Sequence, residues 1–115
     1  MIAKSALFIA DEIGADHIIL FTNSWFLARV VSAFKPNQPV FAFTKDTNVL
    51  RSMNILFAIK PFLIWEWSNY PMEDEKNAIE ILKKNWLLTK GQKIVVINDI
   101  AHWESIAPYT KVINL

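Results

Sequence analysis

Thr22, Asn23 and Ser24 follow a short apolar run at residues 18–21 and precede a segment with helical periodicity. Two hydroxyls and a carboxamide at a strand-to-helix junction can donate to a phosphate. The free N–H groups and the positive dipole end of the helix favour the same anion. The spacing therefore suggests an effector or phosphate site. The next residue, however, is Trp25, where a loop that lets its backbone approach phosphate uses glycine. Thr22 and Ser24 also read simply as a strand end and a helix N-cap. Asp99, His102 and Glu104 carry acid/base groups on one irregular segment, without a nucleophile or metal-ligand spacing, and read as solvated surface. Ser24 lacks the glycines of a nucleophile elbow. With no cysteine, and with His17 and His102 far apart, neither a disulfide nor a zinc site is expected. No catalytic residue and no metal ligand is assigned.

The elements that must position this loop are legible from periodicity. Ala3, Ala6, Leu7, Ala10 and Ile13 fall at helical spacing, and Gly14 follows where a C-terminal cap belongs. Residues 18–21 form an apolar run, as in a strand buried on both faces. "SWFLARVVSAF" is helical until Lys35-Pro36. "PVFAFT" is a second strand, and Asp46 opens a third helix through Val49, Leu50, Met53, Ile55 and Leu56. "PFLIWEW", beginning at Pro61, is a third strand, with Trp65 and Trp67 on one face, packed under a helix. A fourth helix carries Glu73, Asp74 and Glu75 at its start and Lys83 and Lys84 at its end, which complements the helix dipole. Its buried stripe is read as Ala78, Ile79, Leu82 and Trp86. "KIVVIND" and "KVINL" supply two more strands. Strands alternating with helices imply a mostly parallel sheet covered on both faces, with ligands bound beyond the carboxyl ends of the strands where their order reverses.

The chain has 115 residues, 53% of them hydrophobic, which suits one compact α/β domain spanning residues 1–115. Its 12 basic and 11 acidic side chains are mixed along the sequence, so neither a nucleic-acid nor a membrane partner is expected. No signal peptide and no span-length apolar stretch is read, which gives a soluble, cytoplasmic expectation.

The segment "ADHIILFTNSWFLARVVSAFKPNQPVFAFT" resembles the C-terminal domain of pyruvate kinase. Members of that family read an apolar strand, T-x-S-G-x-[ST]-A-R, an apolar helix, a basic residue with proline, and P-[IV]-x-A-x-T. Thr22, Ser24, Ala28, Arg29, Lys35, Pro36, Pro39, Ala42 and Thr44 fall in that register, as do Arg51 and Pro61 further on. "AIEILKKNWLLTKGQKIVVIND" resembles the family's last helix, lysine-glycine turn and next strand. The resemblance covers nearly the whole chain. It implies a three-layer α/β/α sandwich with a five-stranded, mostly parallel sheet whose last strand is antiparallel. It also implies a role in oligomerisation and, in many members, the binding of a sugar-phosphate effector. The family's catalysis, phosphoryl transfer from phosphoenolpyruvate to ADP with Mg2+ and K+, belongs to a (β/α)8 barrel. Such a barrel needs about 250 residues and has no place in this chain, so no cofactor is expected within it.

Departures from the family pattern cluster at the effector loop. Trp25 stands at the glycine and Leu27 at the second hydroxyl position, and "NDIAHWESIAPYTK" contains no glycine where the family has a glycine-rich loop. The resemblance thus implies a degenerate site at Thr22, Asn23 and Ser24. Helix two is apolar nearly all round, so a second surface must cover it, either within the chain or on another subunit. Trp25, Phe26, Arg29, Val30 and Phe34 are its candidate interface residues. The implied partners are further copies of the chain, as in the family's tetramer, and the catalytic barrel. A free-standing α/β binding module that kept the fold without the barrel is the alternative reading.

Overall fold

A computed structural model describes residues 2–22, 25–56, 58–64, 71–98 and 109–115. The elements run α1 (Ile2–Ile13), β1 (His17–Phe21), α2 (Trp25–Ala33), β2 (Val40–Thr44), α3 (Thr47–Met53), β3 (Ile59–Leu63), α4 (Pro71–Lys84), β4 (Lys93–Asn98) and β5 (Tyr109–Asn114). The strands form one five-stranded sheet in the order β3-β2-β1-β4-β5. β1 pairs in parallel with β2 on one side (Ile18 with Val40) and with β4 on the other (His17 with Ile94), while β5 returns antiparallel to β4. This is the α/β sandwich expected from the sequence, including the reversed last strand.

The alternation of side chains across the sheet divides the apolar core in two. Ile18, Leu20, Val40, Ala42, Val95 and Ile97 meet Ala6 and Ala10 of α1, Ala28 and Val31 of α2, and Val49 and Met53 of α3. On the opposite face Ile19, Phe21, Phe41, Phe43, Ile94 and Val96 meet Ala78 and Leu82 of α4. Phe43 stacks between Phe21 and Phe62, with ring centroids 5.6 and 5.2 Å away. Successive crossovers through α2 and α3 carry the chain outward along one face. It then passes to the other face through α4 and returns beside β1, so the strand order reverses between β1 and β4.

Three boundaries differ from the sequence reading. β3 begins at Ile59, ahead of Pro61. It is an edge strand, and Ile64 N–H donates to the Thr44 carbonyl at 2.8 Å, so the alternate residue Pro61 turns its missing N–H away from β2. α3 stops at Met53 with Asn54 as its C-cap, which leaves Ile55 83% exposed. α4 stops at Lys84, and Trp86, read above as part of the buried stripe, is 91% exposed. Trp65 and Trp67 lie outside the described residues.

The cause of the Trp86 outcome lies in the backbone. Leu87 N–H donates to the Leu82 carbonyl (3.0 Å) and Trp86 N–H to the Lys83 carbonyl (3.1 Å), the pair of bonds that defines a Schellman helix end. Leu82 and Leu87 complete it by meeting in the same core. The motif requires its C′ residue in the left-handed region, and Trp86 has φ 61°. α1 ends by the same device with Ala15 N–H on Ala10 and Gly14 N–H on Asp11, but there the left-handed residue is a glycine. In α2 Lys35 takes that conformation (φ 49°), and Pro36 cannot supply the second donor.

A side chain in the left-handed region costs about 1 kcal/mol relative to glycine. Trp86→Gly should accordingly raise unfolding stability by about 1 kcal/mol in urea titration. A loss of stability would show that Trp86 packs against the fold.

His17 begins β1 with its ring 5.3 Å from that of Phe41. Burial lowers its pKa below the ordinary 6.5, against smaller opposing effects of the Asp16 carboxylate and nearby Gln92. Neither ring nitrogen makes a hydrogen bond of ordinary geometry. Because the folded state favours the neutral ring, this stability is present above pH 6.5 and is lost as pH falls from there toward the depressed folded value. Thermal unfolding between about pH 7.5 and 5.5 should show a decline that is shallower in His17→Leu; equal slopes would remove His17 as its source.

Candidate functional site

The carboxyl ends of β1, β2 and β4 bring Thr22, Thr44 and Asn98 to one edge of the sheet, and all three are buried. Thr22 N–H donates to the Phe43 carbonyl at 3.1 Å, which carries the β1–β2 ladder one residue past the strand. Asn98 sits opposite Phe21 on β1 and Tyr109 on β5, at the reversal point itself. Thr22 is thus placed where the sequence reading put it. Asn23 and Ser24 lie outside the described residues, as do Asp99, His102 and Glu104 of the facing segment. Trp25 opens α2, and Leu27, at the position of the second hydroxyl in the motif, is buried in the core beneath the helix.

The neighbouring helix start is closed by the protein's own anion. Asp46 accepts from Asn48 N–H at 2.8 Å and Val49 N–H at 3.3 Å, and its own N–H donates to Thr44 Oγ1 at 3.2 Å. A carboxylate so placed satisfies the N-terminal donors of α3 and cancels the positive dipole end that would otherwise attract a phosphate.

The same edge carries two acidic groups that the sequence reading assigned to dipole complementation. Asp74 and Glu75 are both 2% exposed. Glu75 Oε2 pairs with Lys111 Nζ of β5 at 3.0 Å, while Glu75 Oε1 is buried without a hydrogen-bond partner. The signal for their burial was present: Asp74 lies one turn before Ala78 and two before Leu82, on the inward stripe of α4. An open groove of about 270 Å³ runs between α4 and β5 from Glu75 and Lys111 to Ile79 and Ile113. Asp46, Asp74 and Glu75 thus bring three carboxyl groups to the described part of this edge, one of them ion-paired with Lys111. Among the described residues no cluster of three or more His, Asp or Glu is placed to hold a metal.

Of the candidate interface residues, the side chain of Trp25 lies outside the described ones. Phe26 is 63% and Phe34 47% exposed, Arg29 is exposed between them, and Val30 is half-buried against the core. Phe26, Val30 and Phe34 are spaced at i, i+4 and i+8, so they form one stripe. α1 packs beside α2 and exposes Phe8 and Ile9.

Removing the Lys111 ammonium would strand the buried Glu75 carboxylate. Full burial of both partners would make that loss several kcal/mol, but Lys111 is 37% exposed. Lys111→Met should therefore cost about 1–2 kcal/mol of unfolding stability. Adding Glu75→Gln should recover most of it. A double variant no more stable than Lys111→Met would show that the cost is lost packing.

Comparisons with known proteins agree with this geometry. The family described as "Pyruvate kinase, alpha/beta domain" matches residues 1–106. The chain is 25% identical over 99 residues to the chloroplastic pyruvate kinase isozyme A of Ricinus communis, with 86% of the chain and 17% of that protein covered. Against the pyruvate kinase of Lactobacillus delbrueckii subsp. bulgaricus it is 26% identical over 104 residues, covering 90% of the chain and 18% of the relative. In fold it is similar to Cryptosporidium parvum pyruvate kinase in complex with ADP, with a TM-score of 0.83 at 24% identity over 97% of this chain and 22% of that one. The chain spans under a fifth of the length of the two curated relatives. No helix of the described residues is long and apolar enough to cross a membrane. A gap-free motif register, the sheet order with its antiparallel last strand, and a family match over nearly all of its length together make this chain a member of the pyruvate kinase alpha/beta, or C-terminal, domain family.

Proposed function

We propose that the chain is the regulatory and oligomerisation domain of a pyruvate kinase, serving a catalytic (β/α)8 barrel that lies outside these 115 residues. In this reading the barrel transfers the phosphoryl group of phosphoenolpyruvate to ADP with Mg2+ and K+, and the present domain joins subunits. The cysteine-free sequence suits a reducing compartment such as the cytoplasm. The observation that carries the assembly role is the stripe of Phe26, Val30 and Phe34 along α2 and just past its end, with Phe8 exposed on α1, which packs beside α2. Exposed aromatic side chains in company with an arginine have the composition of an interface core.

The effector loop is degenerate in this reading. Leu27 points into the core and supplies no hydroxyl, Asp46 occupies the adjacent helix start, and Asp74 and Glu75 add buried negative charge near the reversal point. A sugar bisphosphate would meet fewer donors and several carboxyl groups.

Sedimentation velocity tests both parts together. The 115-residue chain should associate in a concentration-dependent way, and Phe26→Ser combined with Phe34→Ser should weaken association at least tenfold, about 1.4 kcal/mol, while circular dichroism stays native. Fructose 1,6-bisphosphate should leave the distribution unchanged and give no saturable heat. Unchanged association in the double variant would remove the interface, and saturable micromolar binding of the sugar phosphate would remove the degenerate loop.

A further inference from the structure

We propose that the edge of the sheet opposite the candidate effector site is a docking surface for an anionic phospholipid bilayer. Strands β1 to β4 run parallel and start at nearly the same level, so the turns that end α1, α2, α3 and α4 gather along one rim. The two most exposed large apolar side chains among the described residues, Trp86 and Ile55, both project from it. They leave from the α4–β4 and α3–β3 turns. The starts of β3 and β4 are separated by two intervening strands, and α3 and α4 cover opposite faces of the sheet, so the two side chains flank the rim from either side.

The charge of the rim is local. No acidic residue occurs between Glu80 and Asp99, and Lys83, Lys84, Lys90 and Lys93 are all exposed in that interval. None of the four forms an ion pair with a described residue. Lys35, in the α2–β2 turn, adds a fifth. The acids of the same rim, Asp11, Glu12 and Asp16, are fewer than its five lysines; Asp16 accepts from Lys93 N–H at 3.0 Å, and Asp11 accepts from Gln38 Nε2 at 3.2 Å. Even mixing of charge over the whole sequence, which argued above against a membrane partner, averages this segment away.

Shape and chemistry choose the partner. Trp86 and Ile55 are almost fully exposed, so both side chains stand clear of the surface around them. Two exposed apolar side chains at one edge of the sheet, with unpaired ammonium groups flanking Trp86 in sequence, match an interface that is negative at its surface and apolar beneath. Tryptophan is the residue that favours such an interface, and lysines near it are drawn to anionic headgroups. Trp86 also keeps its place in a left-handed position that its side chain strains, so the fold does not require it there.

Flotation of the 115-residue chain with vesicles decides the matter. With phosphatidylserine and phosphatidylcholine at about 30:70 the chain should float with the vesicles. It should not do so with phosphatidylcholine alone, and it should be released as salt rises from about 0.1 to 1 M, where the screening length shrinks from about 10 to about 3 Å. Trp86→Gly should reduce the bound fraction at least fivefold, and Lys83→Glu with Lys84→Glu should do the same. Trp86→Gly removes strain, so its loss of binding cannot be ascribed to misfolding, and circular dichroism of each variant verifies this. Failure to float with either vesicle, equal flotation with both, or undiminished binding by Trp86→Gly would each overturn the proposal. So would binding of polyglutamate in place of the anionic vesicles, since it would assign the rim to an acidic protein partner.

Discussion

Pairing of β1 with both β2 and β4 is the constraint on which the rest of this structure depends. β1 is the central strand, and Ile18, Ile19, Leu20 and Phe21 are all fully buried. Such a strand must have neighbours on both edges and helices on both faces, because its backbone groups need partners and its side chains point both ways. The chain meets the first demand by building outward through β2 and β3, then returning to β4. It meets the second by placing α1, α2 and α3 on one face and α4 on the other. Reversal beside β1 follows directly, and with it the location of any ligand at the carboxyl edge.

That edge shows how much of a scaffold's polarity is structural. The ladder extension at Thr22, the buried Thr44 and the buried Asn98 lie at the strand ends. Carboxylates near them have structural partners as well. Asp46 serves α3, and Glu75 fastens α4 to β5 through Lys111. Polarity at a strand-end cleft therefore serves the fold here as much as any ligand, and the balance of donors and charges has to be read residue by residue.

Helix ends tell a parallel story on the opposite rim. The α/β crossover requires each helix to stop within a few residues and reverse direction, and this chain uses left-handed residues for three of those stops. Gly14 makes the turn without steric cost, while Lys35 and Trp86 make it with a side chain attached. Geometry of the crossover has prevailed over local preference, and the price is an exposed indole beside unpaired lysines.

How much of this was legible beforehand differs by element. β1, β2 and β4 announced themselves as continuous apolar runs, α4 as a dipole-matched amphipathic helix, and the motif register supplied the family and the antiparallel β5. The order β3-β2-β1-β4-β5 came from the structure, and with it the position of Thr22 beside the reversal point. Periodicity alone misjudged Trp86, since it extends a helical stripe for as long as apolar residues recur, whereas the Schellman bonds from Leu87 and Trp86 end α4 first. The reading of Asp74 and Glu75 as dipole complementation left their burial unstated, although the one-turn spacing of Asp74 to Ala78 and Leu82 carried that signal. By itself, then, the sequence determined the elements, their order and the family, which depend on local hydrophobic pattern and motif spacing. Only the tertiary structure decided which polar groups are buried and which apolar ones are exposed, because burial is a property of what distant segments bring to the same place.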